Sequence, residues 1–177
     1  MVLIVIAGMP GAGKEEFVSV AMTKGYQVVR MGDVVREFAS KTTAGVSDRG
    51  VGGFANDERQ KHGYDIWARR CVDRVGSDRT IIDGSRGVME LKVYQERFGK
   101  DIRLVVIHSS PLTRYPRLVR RGREDAPKSI AEFDARDERE LSWGLGSLIA
   151  LADVMIVNEG SLEGFKSNCA RVLDSIG

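Results

Sequence analysis

Residues Val2-Leu-Ile-Val-Ile-Ala7 are apolar without a break and rich in β-branched side chains, and they run directly into Gly8-Met-Pro-Gly11-Ala-Gly13-Lys14. A run with no polar alternation is stable as a strand only when both faces are covered, so it predicts a central strand of a parallel sheet. It is far shorter than the roughly 20 residues of a membrane span. It also lacks the basic start and small-residue cleavage site of a secretory signal, so it is read as structural. Downstream, the pattern alternates. Helical periodicity over 13–24 stops at Gly25, followed by a short strand at 26–30 and a helix from about Asp33 to Ser40. Strands are also expected at 80–83, 102–107 and 153–157. Helices are expected at 56–75, 88–98, from Pro111 onward, over 128–150 with a kink near Gly144 and Gly146, and from Ser161 to the end. Strands alternating with helices make an α/β sandwich with a parallel sheet, and such sheets take ligands outside the carboxyl ends of their strands.

The length of 177 residues fits one domain with one core. Two segments are expected to be insertions: a helical subdomain at 41–76, entered through a glycine-rich mobile connection at 41–54, and a lid at 114–127. The net charge of +2 excludes both a polyanion binder acting by bulk charge and an acidic disordered tail. Cys71 and Cys169 lie far apart and match no paired metal-ligand spacing, which suits a reduced cytosolic setting.

After the first strand, residues 8–14 follow the pattern GxxxxGK in a strand–loop–helix setting. Glycines let the backbone curl so that successive N–H groups point at phosphate oxygens. The following helix adds its positive N-terminal end, and Lys14 adds a mobile point charge. The predicted nucleotide site is therefore Gly8, Met9, Pro10, Gly11, Ala12, Gly13, Lys14 and Glu15. Glu15 departs from the usual Ser or Thr whose hydroxyl binds Mg²⁺. A carboxylate is a good ligand for a hard cation but longer and charged, so Glu15 is a candidate metal ligand or points away.

The second strand ends in Met31-Gly-Asp33-Val-Val-Arg36 and the third in Asp83-Gly-Ser-Arg86. Each sets an arginine, the side chain suited to a bidentate grip on phosphate, just past a strand end. Asp83, at the tip of an apolar strand, is a candidate for Mg²⁺ or its waters. Arg114, Arg117, Arg120, Arg121 and Arg123 then fall within ten residues with no acid among them. Such crowding repels unless an anion visits, which suggests a lid over triphosphate. Acids follow immediately at Glu124 and Asp125, which argues against an extended nucleic-acid surface.

The order GxxxxGK, Gly-Asp-x-x-Arg, Asp-Gly-x-Arg and arginine-rich lid resembles the nucleoside monophosphate kinases, especially adenylate kinase. Asp153-Val-Met-Ile-Val-Asn158-Glu-Gly160-Ser resembles the last strand and turn of dephospho-CoA kinases. Nearly the whole chain, including Arg139-Glu-Leu-Ser-Trp143-Gly-Leu-Gly146, resembles a functionally unassigned family of archaeal adenylate-kinase-related P-loop proteins. These resemblances imply a five-stranded sheet in the order 2-3-1-4-5. They imply that Asp33, Arg36 and Arg86 hold the acceptor, and that Lys14, Arg86, Arg117, Arg120, Arg121 and Arg123 stabilise the migrating phosphoryl group. Asn158 and Gly160 would lie near the donor adenine. The segment 41–75 shows no base-reading signature, and Trp67 and Trp143 are expected as core anchors.

The leading expectation is a phosphotransferase that uses ATP and Mg²⁺ to phosphorylate a small acceptor of nucleoside monophosphate or dephospho-CoA type. It would be a monomer or homodimer with no membrane partner. Phosphoryl transfer needs mainly positioning and positive charge from the protein. The alternative is a P-loop ATPase or nucleotide switch acting with a protein or RNA partner.

Overall fold

The computed structural model describes residues 2–42 and 48–177. Five parallel strands, β1 (Val2–Ala7), β2 (Gln27–Arg30), β3 (Arg79–Asp83), β4 (Ile102–His108) and β5 (Val154–Val157), form one sheet in the order β2-β3-β1-β4-β5. This is the expected α/β class and strand order. The central strand β1 is buried along Leu3–Ala7, as its unbroken apolar run requires. Its alternate side chains enter two cores. Leu3, Val5 and Ala7 pack with Trp67, Tyr94, Leu104 and Leu145 on one face. Ile4 and Ile6 pack with Phe17, Val18, Phe165 and Leu173 on the other.

The helices follow as α1 (Lys14–Thr23), α2 (Met31–Thr42), α3 (Asp48–His62), α4 (Ile66–Val72), α5 (Val88–Phe98), α6 (Pro111–Arg121), α7 (Ile130–Ser142), α8 (Leu145–Ala150) and α9 (Leu162–Ile176). A 3-10 turn at Gly99–Asp101 precedes β4. Ser110, Ser129 and Ser161 cap α6, α7 and α9, each side chain accepting a backbone N–H three residues on.

The structure corrects three expected elements. Of the expected mobile connection at 41–54, residues 41 and 42 end α2 and Asp48–Phe54 begin α3. The remainder, 43–47, lies outside the described residues. The apolar side chains Val51 and Phe54 pack on the first core, and that burial outweighs the local glycine content. The expected helix 56–75 is broken at Gly63, whose φ of +100° is left-handed, and resumes as α4. The expected kink in 128–150 is likewise a break, at Gly144 with φ +99°. In the segment expected as a lid at 114–127, the first eight residues, 114–121, belong to α6. Arg114 and Leu118 are buried, and a side-chain carbon on Gly11 would sit 3.0–3.2 Å from both. Most of α6 is therefore a wall beside the glycine loop, and only the stretch beyond Gly122 leaves it.

Candidate phosphate-binding site

The strand register sets the site's floor. Ile6 lies beside Asp83, and Arg30 beside Asp83 on the other side, so the ends of β1, β3 and β2 converge. From that end the loop at residues 8–13 turns into α1. Gly8, Gly11 and Gly13 have φ values of 150°, 83° and 111°, and a side-chain carbon on Gly8 would lie 2.3 Å from the Ile107 carbonyl oxygen. Only glycine fits there, because the loop needs both a positive φ and backbone-to-backbone approach. Lys14 opens α1 and donates its ammonium to the loop's own carbonyls, Gly8 at 2.6 Å and Met9 at 3.4 Å. Burial pushes its pKa down, while the neighbouring Asp83 carboxylate partly offsets this.

Asp83 contributes a buried Oδ1 that has no hydrogen-bond partner. A buried orphan acceptor at a strand end is uncommon and suits a cation or its water. Among the described residues, no three His, Cys, Asp or Glu side chains group as a metal cage. Glu15, the other candidate ligand, is instead engaged by Arg30, Nη2 to Oε1 at 2.6 Å, and is exposed.

Arg86, just past β3, is within electrostatic reach of Lys14. Its Nε donates to Glu140 at 2.7 Å and its Nη1 to the Gly84 carbonyl at 2.6 Å. Its backbone N–H donates to Glu90 at 2.6 Å, and Glu90 accepts from Arg59 at 3.2 Å. Arg59, Glu90 and Glu140 are all buried. Trp143 packs against this network, with the Arg59 guanidinium 4.9 Å and the Arg86 guanidinium 5.8 Å from its ring centroid, and its indole N–H donates to Asn56. Burial alone would lift the Glu140 carboxyl, but Arg86, Lys14 and Arg136 together hold it below the ordinary carboxylate range. At Glu90 burial wins, and its pKa is raised.

The other expected residues are more dispersed. Asp33 and Arg36 face solvent on the first turns of α2 and pair with each other at 2.5 Å. Arg117 turns inward, its Nη1 donating to Ser109 Oγ at 3.2 Å and to the Asn158 carbonyl at 3.1 Å. Arg120 and Arg123 are exposed, and Arg121 pairs with Asp125 at 3.8 Å. Asn158 lies beneath the glycine loop, its Nδ2 donating to the Ala12 carbonyl at 2.8 Å, and Gly160 is an exposed turn.

Sequence reasoning missed Glu140 and the structural role of Arg114. Arg114 is buried and reaches Asp137 with two nitrogens, at 2.9 and 2.5 Å, and the Pro10 carbonyl at 3.1 Å, tying α6, α7 and the glycine loop together. Among five clustered arginines nothing local marks it as the structural one. Glu140 did stand in a family-typical stretch, but its partner is 54 residues away.

The loop, its lysine and the five-stranded order define a P-loop protein of kinase-like architecture. A family model described as an AAA domain matches residues 7–134. The chain belongs to the UPF0200 family. It is 46% identical over 172 residues to the UPF0200 protein of Thermoplasma volcanium, covering 97% of this chain and 96% of that one. With that of Methanopyrus kandleri it shares 45% over 183 residues, covering 98% and 90%. In fold it resembles TT1252 from Thermus thermophilus, with TM-score 0.66, 18% identity and coverage of 99% and 98%. It also resembles a gluconokinase from Sinorhizobium meliloti 1021, with TM-score 0.65, 14% identity and coverage of 99% and 93%. Among the described residues no helix is long and apolar enough to cross a membrane.

Proposed function

We propose that the protein is an ATP-dependent phosphotransferase acting on a small acceptor, of nucleoside monophosphate or dephospho-CoA type. The observation that carries this reading is the conjunction of a curled glycine loop, Lys14 at its end and the buried, unpartnered Asp83 Oδ1 beside it. In this reading the loop's N–H groups and the start of α1 bind the donor phosphates. Lys14 exchanges the Gly8 carbonyl for an outer phosphate oxygen, a stronger partner because it is charged. Mg²⁺, when bound, would neutralise charge on the outer phosphates, with Asp83 holding it or its water. Arg86 and Arg117 flank the loop and would stabilise the transferring group, and both are preorganised by hydrogen bonds. Arg120, Arg121 and Arg123 would join only if the segment beyond Gly122 closed over the loop.

The experiment is an ADP-release assay with MgATP against nucleoside monophosphates, dephospho-CoA, RNA and no addition. Stimulation by one small acceptor is the expected outcome. Turnover that needs no acceptor, or only a macromolecule, would replace this reading with that of an ATPase switch.

A further inference from the structure

The acceptor side carries one feature that a grip on an acceptor phosphate does not need. The arginine nearest the loop is already bound by a buried carboxylate. Arg86 gives its single Nε–H to Glu140 and a nitrogen at the other side of the guanidinium to the Gly84 carbonyl. The side-on edge of a guanidinium, Nε with its neighbouring nitrogen, is the one that best matches two phosphate oxygens. Here half of that edge is spent. Glu140 is 5% exposed, so a phosphate drawing Arg86 away would leave a carboxylate buried without its partner. Nor can the backbone of Arg86 shift freely, because its N–H is held by Glu90, which Arg59 holds in turn. A third of the Arg86 side chain (33%) remains reachable, and Asp83 and Lys14 lie within its electrostatic reach. Arg36, the second expected phosphate anchor, is neutralised by Asp33 on the surface of α2. Charge on the acceptor side is therefore balanced before any acceptor arrives, and two carboxylates, Asp83 and Glu140, stand beside the reacting end.

Resting on the kinase reading above, we infer that the acceptor presents a hydroxyl group with no phosphate at its reacting end, and that Glu140 is the positioning residue that sets this specificity by reserving Arg86 for the donor. The acceptor class is a sugar, polyol, nucleoside or the ribose of a larger nucleotide, and excludes nucleoside monophosphates phosphorylated on their phosphate. In the transfer, the acceptor oxygen forms a bond to the γ-phosphorus and the bond to the β–γ bridging oxygen breaks. ADP leaves with that electron pair, and the hydroxyl proton passes to solvent. Carboxylates repel phosphates, so Asp83 and Glu140 both disfavour an anionic acceptor, Glu140 acting from its buried position through Arg86.

The test is calorimetric titration of the intact chain with AMP, CMP, GMP and UMP, in Mg²⁺ and a non-hydrolysable ATP analogue, for the wild type and for Glu140→Gln. Heat from the analogue alone checks the nucleotide site, so its absence would count against the kinase reading rather than this one. Given that heat, the wild type is expected to bind every monophosphate at least tenfold more weakly than Glu140→Gln, in which Arg86 is released. A gain of affinity is something a merely structural defect would not produce. Equal binding by the two proteins, at any strength, would overturn the role of Glu140. ADP release from wild-type protein stimulated by a monophosphate would overturn the acceptor class. Should Glu140→Gln fail to fold, Glu140→Asp makes the same comparison, keeping the charge but shortening its reach.

Discussion

Lys14 and Gly13 concentrate what the loop requires of single residues. Lys14→Ala is expected to lower ATP turnover by roughly a hundredfold or more, the usual loss when one preorganised charge is removed from phosphoryl transfer. Steady-state ADP release measures it, and retained turnover would remove the loop from the reaction. Gly13 has φ +111°, and a side-chain carbon there would lie 2.4 Å from Asn158 Nδ2. Gly13→Ala should therefore cost about 1–3 kcal/mol in urea unfolding, as non-glycine residues forced into such backbone do. Asn158→Ala in the same chain should recover part of the loss, because neighbouring sites couple. At position 15, serine would place a hydroxyl where this loop type expects a metal ligand, and the Arg30 ion pair would be lost. Glu15→Ser is expected to lower the Mg²⁺ concentration needed for half-maximal nucleotide binding. An unchanged titration curve would mean that position 15 does not face the ion.

Helix α6 shows why elements are easier to read than their roles. Pro111 at its first turn and the run of basic residues to Arg121 mark a helix, and a helix is there. That its N-terminal half is a fixed wall depends on Arg114 finding Asp137, 23 residues on, and the Pro10 carbonyl. Arg114→Ala strands a partly buried carboxylate and a loop carbonyl together, and should cost toward the lower end of the roughly 3–5 kcal/mol seen for buried pairs, in thermal or chemical unfolding. Arg120→Ala, one helical turn past Arg117 and exposed, should fall within about 0.5 kcal/mol of wild type. If the two changes cost the same, the cluster would be one surface patch after all. The segment 48–54 carries the complementary lesson. Glycine content there argued for a loose connection, yet α3 forms because Val51 and Phe54 are covered by the first core. Intrinsic propensity is a weak prior that burial overrides.

Across the whole molecule, α3, α5, α7 and the turn after β3 meet in one buried charge network, and its response to pH follows from opposite shifts. Glu140 has a pKa below that of an ordinary carboxylate, so its contribution to stability is present above the ordinary value and is lost as pH falls through the depressed one. Glu90 is raised by burial, so its contribution is unfavourable near neutrality and eases as it takes up a proton on acidification. Glu140→Gln should therefore be less stable than wild type at about pH 7, with the gap narrowing below about pH 4 as the carboxylate is protonated. Thermal unfolding across that range measures it, and a gap independent of pH would show that the charge of Glu140 is not what stabilises.

The local order of residues alone determined the alternation of strands and helices, the buried central strand and the glycine loop with its lysine. Each rests on side-chain periodicity or on backbone freedom within about ten residues of chain. Which arginines the loop actually has beside it was decided only by tertiary structure. Arg86 and Glu140 are 54 residues apart, Arg117 and Asn158 are 41 apart, and Ala12 and Asn158 are 146 apart. An ion pair or hydrogen bond depends on distance in space to within about an ångström. Sequence spacing carries no such distance once the chain has turned between layers, so the partners appeared only when the sheet and its covering helices were assembled.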